Sequence, residues 1–425
     1  MYAGKQKLRG FTHKVNIPKF YYGYVIVIVF FIMMVLGWGM FYIYGVFFRP
    51  LMEEFDWTRA ITSGAFSMSV LVSGIIGIIA GRLSDTIGPK KVIIFCTCLL
   101  TLGYGLMIFV QSTWQFYFLY GIIIASGVGG FWAPQVSTVA RWFVKRRGIM
   151  TGNVSGGISF GTLVLPLIVT RLIDVFNWRT TYLIIGIAIF VIVMAAAQFV
   201  KSSPPKMSLL PIREINNEIQ SRTRILNFSF QEAVHTVQFW MVTLIYVCFG
   251  ITQLTVVVHL VPYATGIGIS SLGAAGVLSV IGGISLAGRI IIGLVSDKLR
   301  VKTSTILSLG LMIVSLLWLL QADSLWKLYI FAVVFGFGYG GLSCLQSLIA
   351  AELFGLISLG VITGIFSLSF NIGGAIGPVI AGHIFDISDS YLWAFLACLI
   401  SVIIALAICL SLKPPGKKPQ VDQST

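Results

Sequence analysis

The chain has 425 residues, of which 57% are hydrophobic and 10% are charged, and its mean hydropathy is +0.95. Soluble domains carry roughly 25% charged residues, so this composition excludes an ordinary soluble protein and indicates one embedded in a membrane. The net charge of +15 would also suit a nucleic-acid-binding protein, but the placement of the charges along the chain argues against that class.

Apolar stretches long enough to cross a bilayer recur along the whole chain, since a spanning helix needs about 20 apolar residues. The first follows a basic, polar lead and is too long for the core of a signal peptide, so we expect it to be retained. The pattern predicts an all-α membrane protein with twelve transmembrane helices. The predicted spans are 22–48, 60–82, 91–111, 114–140, 149–173, 178–200, 237–263, 270–294, 303–321, 325–351, 357–382 and 391–412.

The placement of the basic residues predicts which side each loop faces. If the N-terminus lies inside and the twelve spans alternate, the outside segments hold only five of the 29 Lys and Arg residues. Such a bias is typical of cytoplasmic loops. We therefore predict a multi-pass protein of the cell (inner) membrane, surrounded by the lipid bilayer, with both termini cytoplasmic and no nucleic-acid partner. The five outside residues are Arg49, Arg59, Arg171, Arg179 and Lys327.

The loop after the second span reads GRLSDTIGPKK, and it resembles the signature of the major facilitator superfamily at this place. Gly81 would let the ends of helices two and eleven approach closely, and Asp85 can accept hydrogen bonds from a helix N-terminus, where the dipole favours an anion. With Arg141 and Asp297, which repeats Asp85 in the second half, these residues form a predicted cytoplasmic gate. The alternative is a charged, solvated turn.

The fifth span begins with WFVKRRGIMTGNVSGG, residues 142–157. This segment is similar to the fifth-helix signature of the monocarboxylate porters and the related oxalate/formate antiporters, with Thr151 where alanine is usual. Its basic run could serve only as a charge anchor, and the spacing of Gly152 and Gly156 could serve only helix packing. As a set, these residues favour this branch of the superfamily over sugar or drug transporters.

The longest hydrophilic interruption lies between the sixth and seventh spans. It predicts a six-helix half over residues 1–200, a cytoplasmic linker over 201–236 and a second six-helix half over 237–425. The two halves resemble each other at a shift of 211–212 residues, so that GRLSD in the first returns as GLVSD in the second. A repeat of half the chain predicts a substrate site near the membrane midplane, between the halves.

The eighth span carries Arg289 in an otherwise uncharged stretch. An arginine cannot lose its proton, and its charge in hydrocarbon costs between about 2.5 and 17 kcal/mol. The resemblance implies that an arginine here binds the substrate carboxylate, and Gly77 at the equivalent place in the first half shows that the charge is not part of the repeat. The alternatives are an arginine that reaches the cytoplasmic interface, about 12 Å away, and a structural ion pair.

Other polar and aromatic residues of the spans are candidate partners of Arg289. His259 titrates near neutral pH and could carry a proton, or it could be a packing histidine. Ser285 stands where several animal monocarboxylate transporters have an aspartate implicated in proton coupling, so the coupling residue stays open. Helix eleven offers Asn371 but lacks the lysine that the resemblance implies for a dicarboxylate antiporter. The predicted substrate-binding residues are Arg289, Tyr120, Tyr339, Asn371, Ser285 and Phe335.

These features predict secondary transport of a small monocarboxylate anion, such as L-lactate or pyruvate, by alternating access. A cotransported proton would cancel the charge of the anion, whose entry against an inside-negative potential costs about 2.3 kcal/mol per 100 mV. The alternatives are an oxalate/formate-type anion antiporter and a carboxylate receptor that transports nothing. We expect a single chain to suffice, without metal or cofactor, and we expect no enzymatic activity.

Overall fold

The computed structural model describes residues 21–143, 147–202, 228–355 and 358–413. Within these ranges the chain forms helices and no β-strand, and eleven helices are long and apolar enough to cross a membrane. The count differs from the twelve predicted spans because the fifth and sixth lie in one run, Arg147–Ala197, which bends at Asn177. Asn177 has a φ of 67° and a ψ of 167°, a conformation outside the helical region that breaks the run into two helices, so this run crosses twice.

We number the twelve membrane-crossing helices α1 to α12. Gly88, with a φ of 90°, ends α2, and Pro89 begins α3, which is the usual use of glycine after a helix and proline at its start. The helices are α1 Gly23–Phe55, α2 Arg59–Ile87, α3 Pro89–Leu106, α4 Thr113–Val139, α5 and α6 before and after Asn177 in Arg147–Ala197, α7 Val237–Gly266, α8 Ser271–Lys298, α9 Val301–Leu319, α10 Leu325–Phe354, α11 Leu359–Ser388 and α12 Leu392–Ser411.

The same helix pairings occur twice. In the first half α1 packs on α5, α2 on α4, and α3 on α4 and α6; in the second, α7 packs on α11, α8 on α10, and α9 on α10 and α12. A Cβ atom at Gly129 would lie 2.5 Å from the carbonyl oxygen of Ser73, and one at Gly340 would lie 2.1 Å from that of Ser285. These repeat-related glycines therefore allow the α2–α4 and α8–α10 crossings, as small residues do between membrane helices.

The two sets of six helices meet through α1 with α7, α2 with α11, and α5 with α8. The halves are in close contact at the end that holds Arg59, where a Cβ atom at Gly382 would lie 2.8 Å from the carbonyl carbon of Arg59. Toward the opposite end, which holds Gly88, Cβ atoms at Gly152 of α5 and Gly364 of α11 would have no described atom within 4 Å. The halves are thus closed together at the Arg59 end, and the described contacts at these two glycines are fewer toward the Gly88 end, which the charge distribution predicts to be cytoplasmic.

Gly81 contacts α4 in this structure. The nearest atom to a Cβ at Gly81 would be the Cβ of Ala133 on α4, at 3.1 Å. Gly81 therefore allows the packing of α2 against α4 within the first half, and its expected approach to α11 stays a prediction.

Candidate functional site

Arg289 projects from α8 toward the first half of the protein. Its Nη1 donates a hydrogen bond of 3.1 Å to the backbone carbonyl of Ser155 on α5. Its Nε is buried and has no hydrogen-bond partner among the described residues. The guanidinium carbon lies 5.9 Å from the ring centre of Tyr339 on α10, close enough for a favourable contact between a cation and an aromatic face. The guanidinium therefore sits between the halves and has donors to spare.

Among the side chains that the structure describes, which do not include those of Asp85 and Asp297, no carboxylate pairs with Arg289. Arg49 pairs with Glu53, Arg179 with Glu54, and Lys327 with Asp323, all toward the Arg59 end. A structural ion pair of Arg289 thus has no support among the described side chains. Nη1 of Arg289 donates its hydrogen bond to a carbonyl on the neighbouring helix α5. The side chain therefore reaches across to α5 and not along α8 to the cytoplasmic membrane interface. A partly buried cation with a free donor is well suited to bind an anion, since charge-assisted hydrogen bonds are the strong ones.

The sequence alone did not single out Ser155 as a partner of Arg289. The close packing of α5 and α8 explains its role, because a Cβ atom at Gly156 would lie 3.1 Å from Leu286 and one at Gly282 would lie 2.6 Å from the backbone of Thr162. Of the two glycines at the start of the fifth span, Gly156 therefore serves helix packing, whereas a Cβ atom at Gly152 would have no described atom within 4 Å. That packing also presents a backbone carbonyl to the arginine.

Helix α1 adds two aromatic residues near the site, Tyr42 and Trp38, of which the sequence had offered Tyr42 as a further candidate for lining the cavity. Tyr42 lies within electrostatic range of Arg289. The ring of Trp38 lies 6.0 Å from that of Tyr42, and its Nε1 is buried without a partner among the described residues. Trp38 belongs to a π-helical stretch, Val35–Gly39, and such stretches are frequent at functional sites.

Ser285 and Asn371 lie at crossings between the halves. The hydroxyl of Ser285 is fully buried, 3.0 Å from that of Ser159 on α5 and 2.7 Å from the carbonyl of Gly282. The amide nitrogen of Asn371 on α11 would lie 2.7 Å from a Cβ atom at Gly74 on α2. The hydrogen bonds of Ser285 are thus already used within the α5–α8 contact, and a direct role of either residue in binding stays a prediction.

Tyr120 and Phe335 are buried in aromatic clusters. Tyr120 is 2% exposed, and its ring centre is 4.8 Å from that of Tyr44 within the first half. Phe335 is fully buried, with its ring 5.1 Å from Phe331 and 6.3 Å from Tyr339. Phe335 therefore supports the ring of Tyr339, whereas none of the contacts made by Tyr120 reaches Arg289.

His259 lies away from Arg289, at the Arg59 end. It is fully buried, with Nδ1 3.0 Å from the hydroxyl of Tyr391 and Nε2 2.8 Å from the carbonyl of Pro378. Both ring nitrogens are thus hydrogen-bonded within the protein, which favours the packing role over that of a proton carrier beside the substrate.

The predicted cytoplasmic gate is only partly visible. The side chains of Asp85 and Asp297 lie outside the described residues. Arg141 is exposed in the last turn of the fourth helix, which continues to Trp142, and its Nη2 donates a hydrogen bond of 3.3 Å to the hydroxyl of Thr138. The gate role of Gly81, Asp85, Arg141 and Asp297 stays a prediction.

Comparison with known proteins gives consistent matches. The family described as Major Facilitator Superfamily matches residues 29–364 and 306–425. Monocarboxylate transporter 12 of Mus musculus is 24% identical over 81% of this chain and 75% of its own, and monocarboxylate transporter 11 of Homo sapiens is 24% identical over 88% and 79%. A crystal structure of a bacterial homologue of the human lysosomal transporter Spinster, inward-facing and unoccupied, has a TM-score of 0.69, with 14% identity over 92% of this chain and 96% of that one.

Proposed function

The chain belongs to the Major Facilitator Superfamily, and on that premise we propose that it transports small monocarboxylates such as L-lactate or pyruvate, bound at Arg289. The observation that carries the proposal is the state of this guanidinium: it is held between the halves by one backbone carbonyl, and its buried Nε has no partner among the described residues. A carboxylate could accept two hydrogen bonds from such a planar group. It would also neutralise a charge that is costly inside a membrane.

Two tyrosines favour an acid with a second oxygen near its carboxylate. Tyr339 lies beside Arg289 and Tyr42 is within electrostatic range of it, and each combines an apolar ring with a hydroxyl that can donate or accept a hydrogen bond. A 2-hydroxy or 2-oxo acid would place its extra oxygen beside such a hydroxyl. The segment Ser367–Pro378 of α11 contains no lysine, so Arg289 has no second cation there, which favours one carboxylate over the two of oxalate.

Transport itself is tested by counterflow. Proteoliposomes loaded with unlabelled L-lactate are expected to accumulate external labelled L-lactate transiently, because a carrier returns with the labelled anion in exchange. Loading with oxalate is expected to give much less exchange. A carboxylate receptor would show no counterflow with any acid, and efficient exchange of oxalate for formate would favour the antiporter instead.

Proton coupling is proposed because it would make lactate uptake electrically neutral. We expect an imposed pH gradient, acid on the side of the external substrate, to accelerate uptake into proteoliposomes. An added protonophore should remove the acceleration without changing counterflow. Uptake that is indifferent to the gradient would show that no proton moves with the anion.

A further inference from the structure

At the Arg59 end, α11 of the second half caps α2 of the first half. The two carboxylate oxygens of Asp386 accept hydrogen bonds from the backbone nitrogens of Arg59 and Ala60, at 3.0 and 2.9 Å. A carboxylate at a helix N-terminus satisfies otherwise unpaired N–H groups and interacts favourably with the helix dipole. Because the cap comes from the other half, it acts only while the two halves are closed at this end.

The side chain of Arg59 extends the contact into the second half. Its Nη1 donates a hydrogen bond of 2.8 Å to the hydroxyl of Tyr391, and its guanidinium carbon lies 3.7 Å from the ring centre of Phe385. The hydroxyl of Tyr391 also lies 3.0 Å from Nδ1 of His259, and Nε2 of His259 lies 2.8 Å from the carbonyl of Pro378. One continuous hydrogen-bond chain thus links α2, the start of α12, α7 and α11.

The order of donors in this chain requires a neutral His259. The carbonyl of Pro378 can only accept, so Nε2 carries a hydrogen, and in a neutral ring Nδ1 is then an acceptor. The Tyr391 hydroxyl donates to that nitrogen while it accepts from Arg59, and every donor has an acceptor. Burial holds the pKa of Tyr391 well above its usual range, so the hydroxyl keeps its hydrogen.

A second proton on His259 would disrupt this order. Nδ1 would become a donor, and the hydrogen of Tyr391 would lose its acceptor. The charged and titratable groups near the ring are Arg59, Asp386 and Tyr391, whereas α1 contributes the apolar ring of Phe48, at 5.2 Å. An imidazolium would therefore add a buried cation beside the half-buried Arg59, with the exposed carboxylate of Asp386 as the one anion near both, which is unfavourable.

We propose that Asp386, Arg59, Tyr391 and His259 form a latch that holds the two halves together at the Arg59 end and closes only while His259 is neutral. The latch refines the proposed transport cycle and rests on it. His259 then senses the pH on the Arg59 side rather than carrying a proton through the closed state, because the ring must lose its added proton before the latch closes. Acid on that side favours the state that is open there.

The latch is tested by the accessibility of position 63. Ser63 is fully buried on α2, and its hydroxyl would lie 2.8 Å from a Cβ atom at Gly382 of α11. In purified protein in nanodiscs, a Ser63→Cys variant is expected to react slowly with a polar maleimide, followed by mass spectrometry of the peptide that contains residue 63. Adding Asp386→Asn is expected to raise the labelling rate about tenfold, as the loss of hydrogen bonds to a charged group implies.

Asp323→Asn is the matched control. Asp323 is an exposed carboxylate at the same end, but its partner Lys327 belongs to the same half, so its loss should leave the labelling rate unchanged. Equal rates for Asp386→Asn and Asp323→Asn would overturn the latch. Thermal unfolding of each variant verifies that it is folded. The labelling rate is measured without substrate. Failed lactate uptake would therefore refute the proposed function and would leave the result for the latch unchanged.

The role of His259 is tested by repeating the labelling at about pH 7.5 and about pH 5.5, on either side of the usual titration range of histidine. At each pH the rate for Ser63→Cys is divided by the rate for Ser63→Cys with Asp386→Asn, which removes the pH dependence of the thiol itself. The ratio is expected to rise severalfold in acid, and to stay constant when His259→Gln is added. A ratio that is independent of pH with His259 in place would overturn the requirement for a neutral ring.

Discussion

Replacing Arg289 with lysine is expected to lower monocarboxylate uptake about 10- to 150-fold. Lysine keeps the positive charge, and its ammonium could still donate to the carbonyl of Ser155, but it lacks the planar fork that pairs with both oxygens of a carboxylate. The loss of one charge-assisted hydrogen bond costs about 1.5–3 kcal/mol, and each 1.4 kcal/mol is about tenfold in affinity. Initial rates of labelled L-lactate uptake, measured at low substrate concentration in proteoliposomes, provide the measurement.

Arg300→Lys is the matched control, because Arg300 is exposed just before α9 in the same half and should tolerate the change. A further variant, Arg289→Gln, separates binding from structure. Removing a charge that lacks a carboxylate partner among the described residues should leave the thermal stability of the empty protein unchanged or higher, whereas loss of a buried ion pair would lower it. Normal uptake by Arg289→Lys, or a marked loss of stability in Arg289→Gln, would contradict the substrate role.

The helices could be predicted from the sequence because hydropathy is a local property. A membrane helix satisfies its own backbone hydrogen bonds, so twenty apolar residues nearly suffice to define it. Asn177, whose backbone is non-helical, separates the fifth and sixth spans where the hydropathy also divides them. The repeat was equally readable, since its equivalent glycines recur at a fixed shift and make equivalent close crossings in the structure.

The site could be predicted only in part. Arg289 was evident because a lone charge in an apolar span is costly wherever the neighbouring helices lie. The partners of Arg289 were not evident from the sequence. Ser155 is 134 residues away, and it contributes a backbone carbonyl, which every residue has. Ser285 lies one turn from Arg289 along α8 and is buried against Ser159 of α5, a contact that the spacing along α8 could not show. Its role in binding the substrate stays a prediction.

The partners of His259 could not be predicted from the sequence either. Its position in an apolar span marked it as unusual, but its function depends on Tyr391 and Pro378, which are 132 and 119 residues away. The sequence therefore indicated that the imidazole ring of His259 needs hydrogen-bond partners, but it could not identify those partners. The contacts place it at the junction of the two halves, where a change of charge affects the conformation rather than the bound anion.

A substitution at Gly45 is expected to reduce transport severely without touching the substrate site. Gly45 lies where α1 crosses α7 at the Arg59 end, and a Cβ atom there would lie 2.8 Å from the carbonyl oxygen of Val257 and 2.9 Å from that of Val258. These are backbone atoms that cannot rotate away, so Gly45→Ala would push the halves apart. Overpacking costs about 1–3 kcal/mol, which lowers the population closed at this end about 5- to 150-fold.

Gly310→Ala is the control, since a Cβ atom at Gly310 of α9 would have no described atom within 4 Å. Both changes gain similar intrinsic helix propensity, so a difference between them reports on the crossing. Uptake of L-lactate should fall with Gly45→Ala and stay normal with Gly310→Ala, and labelling of Ser63→Cys should accelerate only with Gly45→Ala. Because Gly45 carries no side chain that could bind an anion, this pattern would mean that closure at the Arg59 end is itself a required step of transport. Equal uptake by the two variants would mean that α1 and α7 can separate there without cost.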